Sequence, residues 1–289
     1  MGAVLAFLGA LLVLAFLTEI EAGLVFGLVA GGLATALIGF FDDRRSQPAV
    51  VRFGVHLAAS VCVFLSIGGI SERALGSWGL HGAWIAGLVT VMMLAWATNL
   101  FNFMDGIDGI AASESVFMCA AGAWINWHQA GDVGLTAAFL FLAAASLGFL
   151  YWNWPPARIF MGDVGSGFLG FSIAALGLAA SRSAAVPIEV WAILGGVFVV
   201  DATTTLLRRI ARGDRWIEAH RMHAYQHLAR RWRAHLPVTV WVIVIDVVWL
   251  LPWATFAAKD PALAPWSLAG ALVPLVFIAL ACGAGAKEK

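Results

Sequence analysis

Ten uninterrupted apolar runs dominate this sequence and limit the folds that it can adopt. Most are close to the roughly 20 residues that a helix needs to cross the hydrocarbon core of a bilayer. Backbone groups inside lipid must be hydrogen-bonded within the chain, and the runs are continuous rather than alternating, so helices are expected instead of a barrel. The predicted spans are 2–17, 22–41, 53–70, 83–101, 109–127, 134–152, 164–181, 187–207, 236–257 and 264–283.

The composition supports this interpretation. Of the 289 residues, 62% are hydrophobic and only 12% are charged, which is more apolar surface than a soluble globule of this size can bury. These values exclude a soluble enzyme, a disordered chain and a nucleic-acid binder with a basic surface. They predict an all-α polytopic transmembrane bundle in a lipid bilayer. The spans and their connections use the whole chain, so residues 1–289 are expected to form one domain.

The distribution of Lys and Arg predicts the orientation of the bundle. If every run crosses the membrane, fourteen of the seventeen basic residues fall in connections on one side. Basic connections stay in the cytoplasm, so this side is expected to face the cytoplasm of a bacterial inner membrane. The fourteen are Arg44, Arg45, Arg52, Arg158, Arg208, Arg209, Arg212, Arg215, Arg221, Arg230, Arg231, Arg233, Lys287 and Lys289.

The first polar cluster on this side is Asp42 and Asp43, in the segment GFFDDRR at the end of the second run. Clustered carboxylates at a membrane boundary are costly and suggest a bound cation or a polar site. A solvated helix end with local ion pairs is the alternative for this pair taken alone.

The second cluster places Asn99, Asn102, Asp105 and Asp108 at intervals of three residues. On one regular helix these side chains would fan over half the circumference, so they could not converge on one ligand. The glycines that follow both aspartates allow the helix to break and the backbone to turn inward. Carboxylate and amide oxygens suit Mg²⁺. An ordinary glycine-rich turn with polar caps is the alternative.

The third cluster is the glycine-rich segment 160–167, which opens the seventh run. Asp163 is well placed to cap this helix, and the helix N-terminus would favour an anion. A cap without any ligand is the alternative.

The fourth cluster is the basic connection 208–235, in which His220, His223 and His227 would share one helix face if this stretch is helical. Three interpretations stay open here: an amphipathic helix on anionic lipid headgroups, a zinc site, and a patch that binds phosphate or pyrophosphate through groups such as Arg221. Of the intramembrane acids, Asp201 is expected either to pair with Arg208 or to contribute to the cleft, while Asp246 has no evident partner.

All four clusters fall on the same predicted face. Carboxylates for a divalent cation, together with cations for phosphates beside lipid, indicate phosphoryl transfer to or from a lipid-linked phosphate. A transporter is the main rival, although transporters hold their polar residues near the bilayer midplane. A catalytically inactive scaffold is the third possibility.

The motifs GFFDDR, NLFNFMDGIDGIA, RIFMGDVGSGF and EAHRMHAYQHL, in this order, resemble the polyprenyl-phosphate N-acetylhexosamine-1-phosphate transferases, and most of all the branch that initiates O-antigen. The resemblance implies a cytoplasm-facing cleft in which undecaprenyl phosphate attacks a UDP-N-acetyl-amino sugar and releases UMP. It implies Mg²⁺, with Mn²⁺ as a substitute, and permits a homodimer. The family's first span and loop have no counterpart here, so ten spans are expected instead of eleven.

The resemblance also assigns roles by motif position. Asn102 and Asp163 resemble Mg²⁺ ligands, and Asp42, Asp43, Asp105 and Asp163 form the expected catalytic set. The expected substrate-binding residues are Asn99, Asp108 at a uracil-contacting position, Phe160 at a uracil-stacking position, and His220, Arg221 and His223 at the diphosphate.

Overall fold

The computed structural model describes residues 1–182, 185–214 and 220–287, and it contains no strand within those ranges. Arg215, Lys289 and residues 218–219 of the fourth motif lie outside them. The α-helices of the described residues are α1 Gly2–Leu17, α2 Ala22–Arg44, α3 Ala49–Ile67, α4 Glu72–Ser77, α5 Ala83–Met104, α6 Ile110–Ala130, α7 Val133–Asn153, α8 Gly162–Arg182, α9 Glu189–Leu194, α10 Gly196–Ala211, α11 Ala224–Trp232, α12 Leu236–Ile245, α13 Leu251–Lys259 and α14 Ala264–Ala281.

Seven helical stretches of the described chain are long and apolar enough to cross a membrane. They are Ala22–Arg44, Ala49–Ile67, Ala83–Met104, Val133–Asn153, Gly162–Arg182, Leu236–Lys259 and Pro261–Ala281. The all-α polytopic bundle is therefore confirmed. The other three predicted spans correspond to α1, α6 and the α9–α10 pair, which are not among the seven, so the count of ten stays a prediction.

Two of the predicted spans are not continuous α-helices. The run 187–207 is interrupted at Gly195, which separates α9 from α10. The run 236–257 contains a π-helical turn, Asp246–Leu250, between α12 and α13. Pro252 lies in the first turn of α13 and has no N–H to donate to the preceding turn, which accounts for the local change of hydrogen-bond register.

The π-helical turn brings Asp246 against Glu114 of α6. Both residues are fully buried, and their carboxyl groups are hydrogen-bonded to each other. Such a bond requires that one carboxyl group keeps its proton and donates it, because two carboxylates can only accept. Asp246 therefore does have a partner, far away in the sequence, and the pair links α6 to the bend between α12 and α13.

The helices that carry the polar clusters end together. The C-termini of α2 and α5 meet the N-termini of α3 and α8, and side chains connect all four ends within a few ångströms. We call this region the site end of the bundle. Helix α2 continues through Arg44, beyond its predicted end at residue 41, because the carboxylates in its last turn find partners on α3 and α8.

Candidate active site

Arg52 joins two of the predicted catalytic aspartates. One nitrogen of its guanidinium lies 2.6 Å from Oδ2 of Asp42 and 3.1 Å from Oδ2 of Asp163. Asp42 also accepts a hydrogen bond of 2.5 Å from the backbone N–H of Gln47. The first turn of α3 therefore supplies a cation that holds the ends of α2 and α8 together.

Asp43 caps α8 from the neighbouring helix. Its carboxylate accepts a 2.9 Å hydrogen bond from the backbone N–H of Asp163 and a weaker one of 3.4 Å from that of Val164. Gly162 has φ +67°, and a Cβ there would lie 2.5 Å from Oδ2 of Asp43. A Cβ on Gly39 would lie 2.5 Å from the backbone of Asp163. Glycine at these positions lets α2 approach the start of α8 closely enough for this cap to form.

Asn102 and Asp105 bring α5 to the same place. Oδ1 of Asn102 accepts a 3.3 Å hydrogen bond from Ser166, in the first turns of α8. Asp105 directly follows α5, and burial raises its pKa to about 7, with the nearby carboxylates of Asp163 and Asp43 adding to the effect. The predicted catalytic residues and the predicted metal ligands therefore form one cluster, which we call the carboxylate cluster.

The donor chemistry of the carboxylate cluster fits a divalent cation. Four carboxyl groups and an amide carbonyl lie together here, and Arg52 contacts two of these carboxylates, those of Asp42 and Asp163. Hard oxygen donors of this kind are what Mg²⁺ prefers. No group of three or more His, Cys, Asp or Glu side chains within the described ranges is already arranged as a metal cage. Mg²⁺ commonly binds through one or two carboxylates plus substrate phosphates, which this arrangement permits.

Asp108 lies in the loop between α5 and α6, which also carries Asp105. Its Oδ1 is 3.2 Å from Nδ1 of His235, and its Oδ2 accepts a 3.1 Å hydrogen bond from the N–H of Ala157. It lines a cavity of about 840 Å³. The cavity is also lined by Arg221, Gln226, Arg230, Arg233 and His235. We call this space the basic cavity.

Two predicted substrate-binding residues lie elsewhere. Phe160 is 79% exposed and lines a separate, mostly apolar groove formed with α1, α7 and α8. Asn99 donates a 2.7 Å hydrogen bond to the carbonyl of Ala95 within α5, and its amide contacts His56 of α3. The structure thus keeps Asn99 inside the bundle, one turn away from Asn102.

The three histidines do not lie on one continuous helix. Helix α11 begins only at Ala224, and His223 is its N-cap in an extended conformation, so His220 and His223 precede the helix. The reason is a cap from another helix: Oδ1 of Asp201 accepts a 2.9 Å hydrogen bond from the N–H of Ala224, and Oδ2 accepts one of 3.0 Å from Tyr225. Asp201 thus fixes the start of α11.

Asp201 does not form the expected ion pair with Arg208 in the described structure. Arg208 donates instead to the carbonyl of Ala284. The segment after α14 also contacts residues 220–227, which we call the histidine segment, because the N–H of Gly285 donates a 2.7 Å hydrogen bond to the carbonyl of Met222. Arg212 donates to the carbonyl of Gly285. The histidine segment is therefore held from two sides.

His220 and His223 stack on each other, with ring centroids 4.9 Å apart. The centroids of these two rings lie 6.4 and 6.3 Å from the centroid of the Phe103 ring, near the end of α5. The pKa of His220 is lowered to about 4, mainly by burial, with the neighbouring His223 and Arg209 contributing to the shift. An anion bound beside the ring would favour its protonated form and so raise this pKa, which is the change expected if the segment binds phosphate. The described residues include no metal cage that would support the zinc interpretation.

Sequence reasoning missed three residues that organise this region, and it left the role of a fourth, Asp201, open. Arg52 was visible only as one of many basic residues, and Asp201 had two competing interpretations. His235 lay in the basic connection without a motif of its own. Asn153 accepts a 2.9 Å hydrogen bond from the N–H of Gly109 and donates one of 2.8 Å to the carbonyl of Ile159, joining two site loops. Its position directly before the Trp-Pro-Pro segment is the only signal that the sequence offers.

The chain is similar to a known family of proteins. Residues 25–181, slightly more than half of the chain, match glycosyl transferase family 4. This stretch contains the whole carboxylate cluster and Asp108, whereas the histidine segment lies beyond it.

Three relatives illustrate the similarity. A probable undecaprenyl-phosphate N-acetylglucosaminyl 1-phosphate transferase of Bacillus subtilis (strain 168) is 32% identical over 193 residues, which cover 63% of this chain and 52% of the relative. The phospho-N-acetylmuramoyl-pentapeptide-transferase of Moorella thermoacetica is 27% identical over 73% of this chain and 70% of its own length. The phospho-N-acetylmuramoyl-pentapeptide-transferase of Mycolicibacterium vanbaalenii is 31% identical over 78% of this chain and 71% of its own length.

The chain spans about half the length of the Bacillus subtilis relative and about seven tenths of the other two. The family match covers the helices that build the carboxylate cluster, and the Mycolicibacterium relative aligns along most of both chains. This chain therefore belongs to glycosyl transferase family 4.

Proposed function

We propose that this protein transfers a sugar 1-phosphate from a UDP-N-acetyl-amino sugar to undecaprenyl phosphate and releases UMP. The product is a lipid diphosphate-linked sugar that initiates O-antigen or another cell-envelope polysaccharide. The reaction takes place on the cytoplasmic face of the bacterial inner membrane. The observation that carries the proposal is the carboxylate cluster beside the basic cavity at the site end of a membrane bundle.

The two halves of the site suit the two substrates. The loop Asp105–Gly109 touches both halves, because Asp105 belongs to the carboxylate cluster and Asp108 lines the basic cavity. A nucleoside diphosphate in the cavity would place its phosphates near three guanidinium groups, which bind phosphate oxygens in a bidentate fork. The lipid phosphate would approach the cluster from the membrane boundary.

In the reaction, an oxygen of the lipid phosphate forms a bond to the phosphorus that carries the sugar. The bond between that phosphorus and the oxygen of the uridine-linked phosphate breaks, and UMP leaves with this oxygen. A phosphate monoester has a second pKa of about 6, so the acceptor is mostly dianionic at pH 7. Deprotonation of the acceptor therefore contributes little to catalysis. Positioning the two anionic substrates side by side contributes more.

The aspartate pair contributes mainly to this placement. Asp42 accepts from Arg52 and Asp43 accepts from the N-terminus of α8, so both carboxylates fix the position of Asp163. Mg²⁺ would be held by Asn102 and Asp163, and it would supply positive charge to offset the phosphates. If Asp43→Asn kept Mg²⁺ affinity and lipid binding but lost turnover, a general-base role would be favoured instead.

A radiolabelled transfer assay tests the proposal. Purified protein in detergent would receive undecaprenyl phosphate and a panel of UDP-N-acetyl sugars, with Mg²⁺ or with EDTA. We expect label in the lipid phase with one sugar, in Mg²⁺ only, and a loss of at least a hundredfold in Asp163→Asn. Glu19→Gln is the matched control, because Glu19 is exposed between α1 and α2, at the opposite end of the bundle. Absence of transfer with every sugar would favour a transporter or an inactive scaffold.

A further inference from the structure

Tyr225 connects the histidine segment to the end of α5. Its hydroxyl donates a 2.9 Å hydrogen bond to the backbone carbonyl of Phe103, two residues before Asp105. Helix α5 ends at Met104, and the last carbonyls of a helix have no partner within the helix itself. Burial raises the pKa of the Tyr225 hydroxyl, so this group keeps its proton and remains a donor. Tyr225 therefore supplies a partner for the end of α5, beside the carboxylate cluster.

Three contacts fix Tyr225 itself. Its backbone N–H donates to Asp201 at 3.0 Å, and its ring stacks on that of His223, with centroids 5.7 Å apart. Its hydroxyl is held by the carbonyl of Phe103, whose own ring contacts both His220 and His223. Phe103 thus meets the histidine segment through its ring and through its carbonyl. A shift of the segment along α5 would break both contacts.

The close approach of Tyr225 explains the glycine that follows Asp105. A Cβ on Gly106 would overlap the hydroxyl oxygen of Tyr225 and would lie 3.0 Å from Cζ of the same ring. The backbone of Gly106 does not have a positive φ, so its conformation alone does not require glycine. Space is therefore the reason for glycine at this position, and the hydroxyl of Tyr225 occupies that space.

We propose that Tyr225 is a positioning residue for the reaction: its hydroxyl sets the position of the histidine segment relative to the carboxylate cluster. This inference rests on the proposed function, in which the acceptor phosphate lies at the cluster and the donor diphosphate lies beside the histidines. The distance between these two groups decides whether the reacting atoms are aligned. Tyr225 is only 3% exposed and does not line the basic cavity, so it acts through the histidine segment without touching a substrate.

Steady-state kinetics of Tyr225→Phe, which removes only the hydroxyl, tests this role. We expect kcat to fall about tenfold, because the carbonyl of Phe103 loses its donor and the two groups lose their alignment. The KM values of both substrates should change less than twofold. Sites are counted by calorimetric titration with UMP, so that unfolded protein does not lower kcat. Tyr151→Phe is the matched control, because the other tyrosine of the sequence is 73% exposed at the end of α7.

A double variant separates positioning from stability. We expect Gly106→Ala to lower kcat at least thirtyfold, because its methyl group overlaps the Tyr225 hydroxyl. Combining it with Tyr225→Phe removes the overlapping oxygen and should raise kcat at least fivefold above that of Gly106→Ala. If the hydroxyl only stabilised the fold, the double variant would be less active than either single variant. That result, or an unchanged kcat in Tyr225→Phe, would overturn the positioning role.

Hydrogen exchange tests the contact without any transfer. The N–H of Asp105 donates a 3.1 Å hydrogen bond to the carbonyl of Phe101 in the last turn of α5. It should exchange at least fivefold faster in Tyr225→Phe and at the wild-type rate in Tyr151→Phe. If wild-type protein transfers no sugar, the proposed function fails, and this exchange still decides whether Tyr225 holds the end of α5. Equal exchange of Asp105 in both variants would overturn the link.

Discussion

Replacing Asp201 by Asn should detach the histidine segment from the rest of the site. Each carboxylate oxygen accepts a different backbone N–H, from Ala224 at 2.9 Å and from Tyr225 at 3.0 Å, and Thr205 adds a third bond of 3.2 Å. Asparagine offers one oxygen, so its NH₂ group must face one of the two backbone donors. One buried N–H then loses its acceptor whichever way the amide is turned.

The structure allows an estimate of the cost. A hydrogen bond to a charged group contributes about 1.5–3 kcal/mol, and an unsatisfied buried donor costs about 1–3 kcal/mol. Because Asp201 is almost completely buried, water cannot replace the lost acceptor. We expect Asp201→Asn to lower the free energy of unfolding by about 2–4 kcal/mol, which corresponds to a fall in Tm of roughly 5–10 °C for a chain of this size.

Amide hydrogen exchange locates the effect. In Asp201→Asn the N–H groups of Ala224 and Tyr225 should exchange much faster, while those of α2 and α8 keep their protection. Asp214→Asn is the control, because this partly buried carboxylate of the same region accepts from Arg212 without capping a helix. Unchanged protection at Ala224 and Tyr225, together with an unchanged Tm, would refute the reasoning that Asp201 fixes the start of α11.

Three further predictions concern other parts of the bundle. Gly39→Ala places a methyl group 2.5 Å from the backbone of Asp163, so we expect lost transfer and a lower Tm by circular dichroism; retained activity would contradict the close approach. Asp246→Asn should keep the hydrogen bond with Glu114, whereas Asp246→Leu should lower the free energy of unfolding by about 3 kcal/mol, and equal thermal stability of both variants would speak against the pair. Because the pKa of His220 falls from 6.5 to about 4 on folding, the unfolded chain binds more protons, and stability should be lost as pH falls from 6.5 to 4; His220→Asn should flatten this part of the Tm profile.

Motifs that are local in the sequence predicted much of the site. Asp42 and Asp43 follow each other, and Asn102 and Asp105 share one helix end, so each cluster could be recognised alone. Their assembly at one end of the bundle followed from counting membrane crossings. The individual donor–acceptor pairs could not be predicted from the sequence. Arg52 contacts both Asp42 and Asp163, and each of these contacts joins two different helices.

The errors have a common physical origin. The three histidines fit a helical spacing, yet Asp201 caps the chain at Ala224 and keeps His220 outside the helix. Asp246 seemed isolated because its partner, Glu114, lies on a helix of another part of the chain. In each case a contact between residues far apart in the sequence overrides the local pattern.

The contact between Gly285 and Met222 has a consequence for biosynthesis. A chain emerges from the ribosome with its N-terminal part first, so α2, α5 and α8 can assemble the carboxylate cluster while later helices are still being made. The histidine segment is secured by Gly285 only after α14 has entered the membrane. A nascent chain can thus form the carboxylate cluster early, whereas the histidine segment gains its last backbone contact only when the C-terminal end of the chain is in place.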